Sequence, residues 1–292
     1  FGGYVKIFGE NPDQESLIGK DSSRSFVHAS RVHQVLVLFA GVLFNFIFAF
    51  ILISLSFNLG VLSSYESYPK YAGLMTDPSI TITYISENSP AQKSGLKPGD
   101  SILGHKTIDE IQNYINKSEG KQIPIKIIRN NEEKIINIIP EKGIVEGKYA
   151  IGIAMDNTAI LKLPFFTSIF EGARLTLSMM IKTVTGFFDL IKGMFVGKSS
   201  LSSVTGPVGI AGMVGDAAKL GFTYLLMFTA IISINLGIIN LVPFPALDGG
   251  RILFVLIEAI IRRPIKPSIA NTINTIGFGL LMLLIVIVTY RD

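Results

Sequence analysis

Residues 240–254 have the sequence Asn-Leu-Val-Pro-Phe-Pro-Ala-Leu-Asp-Gly-Gly-Arg-Ile-Leu-Phe and follow a long apolar stretch. Neither Pro243 nor Pro245 fits an undisturbed helix, so we expect the backbone to break there. Asp248 follows the break, and the two glycines after it allow another backbone segment to approach closely. A break at membrane depth needs protein or a water-filled cavity around it. The segment therefore predicts either a functional intramembrane carboxylate or an acid that ends a span in cytoplasmic water.

The composition indicates a membrane protein. Of the 292 residues, 49% are hydrophobic and 16% are charged, whereas about 25% are charged in soluble domains. A span takes about 20 apolar residues, and residues 35–62, 220–247 and 268–290 meet that length. The net charge of +4 is small and no basic block is present, so we expect no nucleic-acid partner. The chain contains no cysteine, which excludes disulfides and thiolate zinc sites.

Residues 166–196 are apolar in a different way. Large apolar side chains recur every three or four positions, and five charged residues lie between them, namely Glu171, Arg174, Lys182, Asp189 and Lys192. Each charge in hydrocarbon would cost about 2.5 to 3.5 kcal/mol. The pattern predicts an amphipathic helix that lies on a membrane surface or packs on a domain, and that does not cross the membrane.

Residues 66–162 have the character of a small solvated domain. Apolar and polar residues alternate over 80–85 and 123–127, as in half-buried strands, and Asn130-Asn131 suits a hairpin turn. The segment from Ser89 to Asp100, Ser-Pro-Ala-Gln-Lys-Ser-Gly-Leu-Lys-Pro-Gly-Asp, resembles the signature of bacterial PDZ domains. That resemblance implies an extended peptide tail bound at a sheet edge beside a helix over 108–115. The alternative is a spacer or steric filter.

The charges around residues 249–267 predict the orientation. Four basic residues, Arg251, Arg262, Arg263 and Lys266, are accompanied there by one acid, Glu258. The positive-inside rule places this connection in the cytoplasm. Counting spans backward, we expect a cytoplasmic or membrane-dipping segment at 1–34 and an extracytoplasmic domain at 66–162.

The segment from Asn240 to Gly250 resembles the aspartate motif of site-2-protease-type intramembrane zinc metalloproteases. Phe1-Gly-Gly-Tyr-Val-Lys resembles the segment that forms a membrane-dipping β-hairpin in that family. Gly41-Val-Leu-Phe-Asn45-Phe resembles its Gly-Pro-x-x-Asn-Phe motif, with Val42 in place of the proline. Thr205-Gly-Pro resembles its Ser/Thr-Gly-Pro segment. The resemblance covers almost the whole chain in the family's order, and it is closest to the regulator-of-sigma-E type with one PDZ domain.

The resemblance implies an α-helical multi-pass membrane protein of the bacterial plasma membrane with an inserted extracytoplasmic α+β PDZ domain. It implies that Asp248 is a ligand of Zn²⁺, and that the substrate path includes Gly2, Gly3, Tyr4, Val5, Asn45, Asn240 and Pro245. The expected substrates are single-span membrane proteins, such as an anti-sigma factor or remnant signal peptides, cut in regulated intramembrane proteolysis.

The family's His-Glu-x-x-His helix supplies two further zinc ligands and a general base. The three histidines here, His28, His33 and His105, do not have that spacing, and we expect them to be solvated or interfacial. In the family that helix precedes the Gly-Gly-Tyr-Val-Lys segment, so we expect the base upstream of Phe1 and no catalytic residue in this chain. The alternative is a non-catalytic membrane-tethered PDZ protein, a pseudoprotease that binds exposed tails.

Overall fold

The computed structural model describes residues 26, 29–129, 132–145, 147–196, 205–263 and 265–292. The predicted segment with Gly2, Gly3, Tyr4 and Val5 lies outside these residues, as do His28 and the Asn130-Asn131 turn. The helices are α1 (Arg31–Leu59), α2 (Pro90–Lys93), α3 (Ile108–Lys117), α4 (Phe165–Phe195), α5 (Pro207–Leu220), α6 (Phe222–Leu241), α7 (Asp248–Ile261) and α8 (Pro267–Arg291). The strands are β1 (Val61–Ser64), β2 (Met75–Ile85), β3 (Ser101–Ile102), β4 (Ile123–Arg129), β5 (Glu132–Ile138), β6 (Glu141–Val145), β7 (Lys148–Ala150) and β8 (Ile153–Leu161).

The chain divides into two compact units. The helical unit contains Phe1–Ser54, Phe170–Gly215 and Leu226–Asp292, and the sheet unit contains Leu55–Ile169 and Asp216–Leu225. The structure is mostly helical, with one larger sheet of six strands and one of two.

Three helices in the described part of the chain are long and apolar enough to cross a membrane, namely Arg31–Leu59, Phe222–Leu241 and Ser268–Arg291. They overlap the three predicted stretches, 35–62, 220–247 and 268–290. The first helix ends at Leu59 rather than at the predicted Leu62, because Gly60 takes a positive φ of 110° and Val61 pairs with Leu161 in the sheet. Helix α6 ends at Leu241, just before the proline pair that predicted the break.

The larger sheet has the strand order β1-β8-β2-β3-β4-β5 and is antiparallel throughout. Its core is built from fully buried isoleucines of the strands and of α3, namely Ile82, Ile111, Ile125, Ile127 and Ile138. The Ser89 hydroxyl accepts the Gln92 N–H at 3.3 Å and so caps α2, whose first residue is Pro90. Gly95 follows α2 with φ 81°. A capping serine, a proline at the first position and a glycine after the end thus bound this short helix.

Small and polar side chains join the helices of the helical unit. The Ser233 hydroxyl on α6 donates to the Asn45 carbonyl on α1 at 2.8 Å. A Cβ at Gly237 would lie 2.7 Å from the Phe46 ring, so the glycine lets α6 and α1 approach closely. Transmembrane helices gain nothing from the hydrophobic effect when they associate, and they pack through such small residues and hydrogen bonds.

The far end of α8 contacts the start of α5. Asp292 accepts hydrogen bonds from the Gly206 N–H at 2.9 Å and the Gly209 N–H at 3.0 Å. The Gly209 and Gly206 amides lower the pKa of the Asp292 carboxyl, because they stabilise its charged form. The carboxylate therefore satisfies donors at the N-terminus of α5 that the helix itself leaves free.

Candidate metal centre

The chain turns back sharply between α6 and α7. The Phe244 N–H donates to the Val242 carbonyl at 2.7 Å, and the Leu247 N–H donates to the Phe244 carbonyl at 3.2 Å. A Cβ at Gly249 would collide with the Leu241 carbonyl, and one at Gly250 would collide with the Phe244 carbonyl. The two glycines therefore allow the close backbone approach that the sequence predicted, and α7 begins at Asp248 directly behind the turn.

Contacts between helices locate Asp248 along the length of α1. Arg31 at the start of α1 forms an ion pair with Glu258 of α7 at 2.5 Å. Glu258 follows Asp248 by ten residues, or about 15 Å of helix. Along α1, Asn45 lies about 21 Å from the level of Arg31, and α6 contacts it at Ser233. Leu241 lies about 12 Å further along α6 than Ser233. Gly249 approaches the Leu241 carbonyl, so Asp248 lies close to Leu241. This contact and the Arg31–Glu258 ion pair are both satisfied when α6 runs back toward Arg31. With the three helix axes running alongside one another, both routes put Asp248 about 9 to 15 Å from the level of Arg31.

The surroundings of Asp248 fit a metal ligand. The side chain is half-buried, and within the described part of the chain no hydrogen bond or ion pair reaches its carboxylate. A carboxylate oxygen is an accepted zinc donor, and a partly buried carboxylate with no polar partner is stabilised by a cation or a proton. The described residues contain no group of three or more His, Cys, Asp or Glu side chains that could hold a metal. Asp248 is therefore one ligand that needs others.

The two histidines within the described residues take part in other contacts. His33 is exposed and its Nδ1 lies 2.6 Å from the Ser30 hydroxyl. His105 lies in the sheet unit, with its ring 5.1 Å from the Tyr114 ring. Neither imidazole forms part of a metal-binding group in the described part of the chain.

Two of the predicted substrate-path residues flank the turn that leads to Asp248. Pro245 lies on the turn and Asn240 in the last turn of α6, so both are neighbours of Asp248 in the chain. Asn45 is half-buried in the middle of α1. Among the described residues, no hydrogen bond joins the side chains of Asn45, Asn240 and Asp248.

Two residues of α8 that were not among the predicted site residues contact this turn. The Ala246 N–H donates to the Asn274 side-chain oxygen at 3.3 Å. A Cβ at Gly277 would lie 2.5 Å from the Pro245 Cβ. An asparagine inside an apolar stretch was a signal in the sequence, since polar groups in spans need partners. The partner itself could not be read from the pattern.

A second site lies in the sheet unit. Strand β8 pairs with β2 along most of its length, but β1 covers only Thr158–Leu161. The Tyr65 N–H, just after β1, donates to the Asn157 carbonyl at 3.1 Å. Residues 153–156 at the start of β8 therefore have one backbone edge that β1 and Tyr65 leave uncovered. Beside it is a cavity of about 330 Å³ lined by Gln112, Ile115 and Asn116 of α3 and by Ile151–Met155. Among the described residues Lys148 is the one charged side chain in the lining.

Comparison with known proteins agrees with this architecture. The family description "Peptidase family M50" matches residues 1–284. A "Putative zinc metalloprotease" of Clostridium acetobutylicum is 33% identical over 304 residues, which cover 100% of this chain and 79% of that protein. One of Staphylococcus aureus strain N315 is 32% identical over 302 residues, covering 98% of this chain and 65% of its own length. One of Rhizobium meliloti is 28% identical over 315 residues, covering 100% and 80%.

The chain belongs to peptidase family M50, the site-2 protease family. This confirms the resemblance drawn from the aspartate motif. The chain spans about 65% of the length of the staphylococcal relative, so the activity of the whole protein is a separate question.

Proposed function

We propose that this chain provides one zinc ligand and the substrate path of an intramembrane metalloendopeptidase of the bacterial plasma membrane. The observation that carries the proposal is the Asp248 carboxylate at the start of α7, half-buried and unpaired within the described residues. Its level, about 9 to 15 Å from that of Arg31, is inferred from the helical rise and from the contacts of α7 and α6 with α1. The hydrocarbon core is about 30 Å thick. If α1 crosses it from Arg31, Asp248 lies inside it. The cytoplasmic connection would then be residues 262–266 rather than 249–267.

We propose the following roles for the described residues in such a reaction. Asp248 would hold the metal through a carboxylate oxygen, together with two histidines of a His-Glu-x-x-His helix. Bound zinc supplies Lewis acidity toward the scissile carbonyl. Asn45, Asn240 and Pro245 would line the path of an unwound substrate segment. We propose single-span membrane proteins as substrates, an anti-sigma factor or remnant signal peptides, cut in regulated intramembrane proteolysis.

Replacing Asp248 tests the proposal. In the full-length protein, Asp248→Asn should abolish cleavage of a single-span substrate in detergent micelles, because the amide keeps the shape but loses the charge. Asp248→Glu should also fail, since the extra methylene displaces an oxygen that must lie about 2.0 to 2.2 Å from zinc. A zinc chelator should reproduce both effects, and added zinc should reverse only the chelator. Undiminished cleavage by a folded Asp248→Asn protein would remove this residue from the metal site.

The sheet unit favours a second proposed function, which would remain if the chain did not cut. We propose that it is a PDZ domain that binds the C-terminal tail of a membrane protein as an added strand. The free edge over 153–156, the neighbouring helix α3 and the partly apolar cavity support strand addition. Lys148 supplies a positive charge at the cavity that suits a terminal carboxylate.

Peptide titration tests this second proposal. A fluorescent peptide with an apolar last residue and a free carboxylate should bind the full chain, and its amidated form should bind more weakly. Lys148→Glu should weaken binding by about two- to fivefold, as expected for the loss of an exposed ion pair. Lys121→Glu, an exposed lysine outside the cavity lining, is the control. If no tail bound, or if the amidated peptide bound equally well, the domain would be a spacer or filter.

A further inference from the structure

The turn that carries Asp248 contains a strained residue. Ala246 has φ 74°, in the left-handed region. An alanine Cβ crowds the neighbouring carbonyl in this conformation, so residues other than glycine, asparagine and aspartate seldom adopt it. Such a residue persists when its surroundings hold it in place, and these positions cluster at functional sites. The contacts that hold Ala246 therefore decide the path of the chain into Asp248, two residues later.

Helix α8 supplies those contacts. The Asn274 side-chain oxygen accepts the Ala246 N–H. Gly277 is buried, and its lack of a side chain lets α8 lie against Pro245, whose carbonyl would be 2.7 Å from an added Cβ. The two residues are three apart, so they lie on one face of the helix. Ile276 and Phe278, in contrast, are each 59% exposed.

The other side of the turn is fixed by α7 itself. Gly250 packs against the Phe244 carbonyl, and the Gly250 N–H donates to the Leu247 carbonyl at 3.1 Å. With Phe244 held by α7 and Pro245 held by α8, Ala246 is the point at which the direction of Leu247 and Asp248 is set. A change of its φ would redirect the carboxylate.

We propose that Asn274 and Gly277 are positioning residues for the Asp248 ligand, acting by holding Ala246 in the left-handed conformation. The inference rests on the proposed function in one respect, that Asp248 binds zinc. Residues that orient a ligand typically change metal affinity by about 10- to 100-fold when they are replaced.

Zinc affinity of the full-length protein, measured by competition with a chromogenic chelator, is the first test. Asn274→Leu keeps the branched shape and removes the acceptor, and it should weaken zinc binding about 10- to 100-fold. Asn271→Leu, an exposed asparagine of α8, should leave affinity within about twofold, because Asn271 holds no ligand in place. Gly277→Ala should weaken binding, whereas Gly279→Ala should not, since a Cβ at Gly279 meets nothing within 4 Å.

Ala246→Gly separates positioning from a general structural role. Glycine takes a positive φ without penalty, so the contacts of Asn274 and Gly277 are no longer needed to hold this conformation. Ala246→Gly alone should bind zinc like the parent, and in its background Asn274→Leu should lose most of its effect. A merely destabilising Asn274→Leu would not be rescued by a glycine at this position.

Hydrogen exchange over residues 242–247 provides a readout that needs no metal. Asn274→Leu should increase exchange in this segment by about tenfold or more, and Asn271→Leu should not. If the leucine variant does not fold, Asn274→Ala makes the same test with less added apolar bulk. Equal zinc affinity and equal exchange for the Asn274 and Asn271 variants would overturn the inference. Unchanged zinc affinity of Asp248→Asn would instead overturn the proposed function. The exchange experiment would still test whether Asn274 holds Ala246 in its left-handed conformation.

Discussion

Arg129 and Asp100 form an ion pair whose carboxylate is almost fully buried. The Arg129 guanidinium donates to both carboxylate oxygens at 2.6 Å and to the Gly95 carbonyl at 2.8 Å. The Lys97 N–H adds a further bond to Asp100 at 2.9 Å. The hydrogen bond to Asp100 raises the pKa of Arg129. This group ties the end of β4 to the turn after α2, and so it holds the segment that carries the PDZ-like sequence pattern.

Removing the guanidinium should be costly because it leaves a buried charge without its partner. We expect Arg129→Met to destabilise the sheet unit by about 3 to 5 kcal/mol. The matched control is Lys134→Met, which breaks the exposed pair with Glu132 at 3.1 Å and should cost about 1 kcal/mol or less. Native-state hydrogen exchange of β4 amides in the whole chain measures both. Equal costs for the two variants would show that the Arg129 pair contributes no more than a surface pair.

Helix α4 shows a reversed distribution of side chains. The buried positions within the helical unit include Glu171, Gly172 and Thr176, and large apolar residues such as Phe170, Leu177 and Ile181 are exposed. Gly172 packs against Ser54 of α1, and the Thr183 hydroxyl lies 3.3 Å from the Asn235 side chain of α6. Apolar residues outside and small or polar residues inside are typical of helices in contact with lipid.

Spin labels can test where α4 lies. The amphipathic pattern still predicts that α4 does not cross, so labels at Leu177 and Lys182 should report different polarity. Leu177 should be inaccessible to a polar relaxation agent and accessible to oxygen, and Lys182 should show the opposite. Equal and deeply buried signals at both positions would mean that the helix spans the membrane.

The helices and the break between α6 and α7 could be predicted because they depend on local properties, namely apolar length and proline. Strands β2 and β4 and the cap of α2 could be predicted for the same reason, since each depends on the residues of its own segment. The burial of Glu171 could not be predicted, because the helical period places it among the charged residues and only packing against α1 selects that face. The Asn274 contact with Ala246 joins residues 28 apart in sequence, and no spacing rule connects them.

At the scale of the molecule, a group of basic residues lies at one end of the helical unit. Arg262 ends α7 with φ 56°, and Arg263 and Lys266 follow within the short connection to α8. Arg31 lies at the same end, through its ion pair with Glu258. Basic residues near short loops favour the cytoplasmic side. The aspartate turn and the basic loop are therefore the two ends of α7, separated by about 20 Å.

This arrangement predicts which side of the membrane each residue occupies. The chain contains no cysteine, so a single introduced cysteine can report its position. Lys117→Cys, at the exposed end of α3, should react with a membrane-impermeant maleimide in intact cells, because we propose that the sheet unit is extracytoplasmic. Arg263→Cys should react only after the membrane is permeabilised, since the positive-inside rule places this loop in the cytoplasm. Both positions are exposed, so a difference in labelling reflects sidedness rather than burial. Labelling of Lys117→Cys from the cytoplasmic side would reverse the orientation and with it the proposed access of exported tails to the free edge of β8.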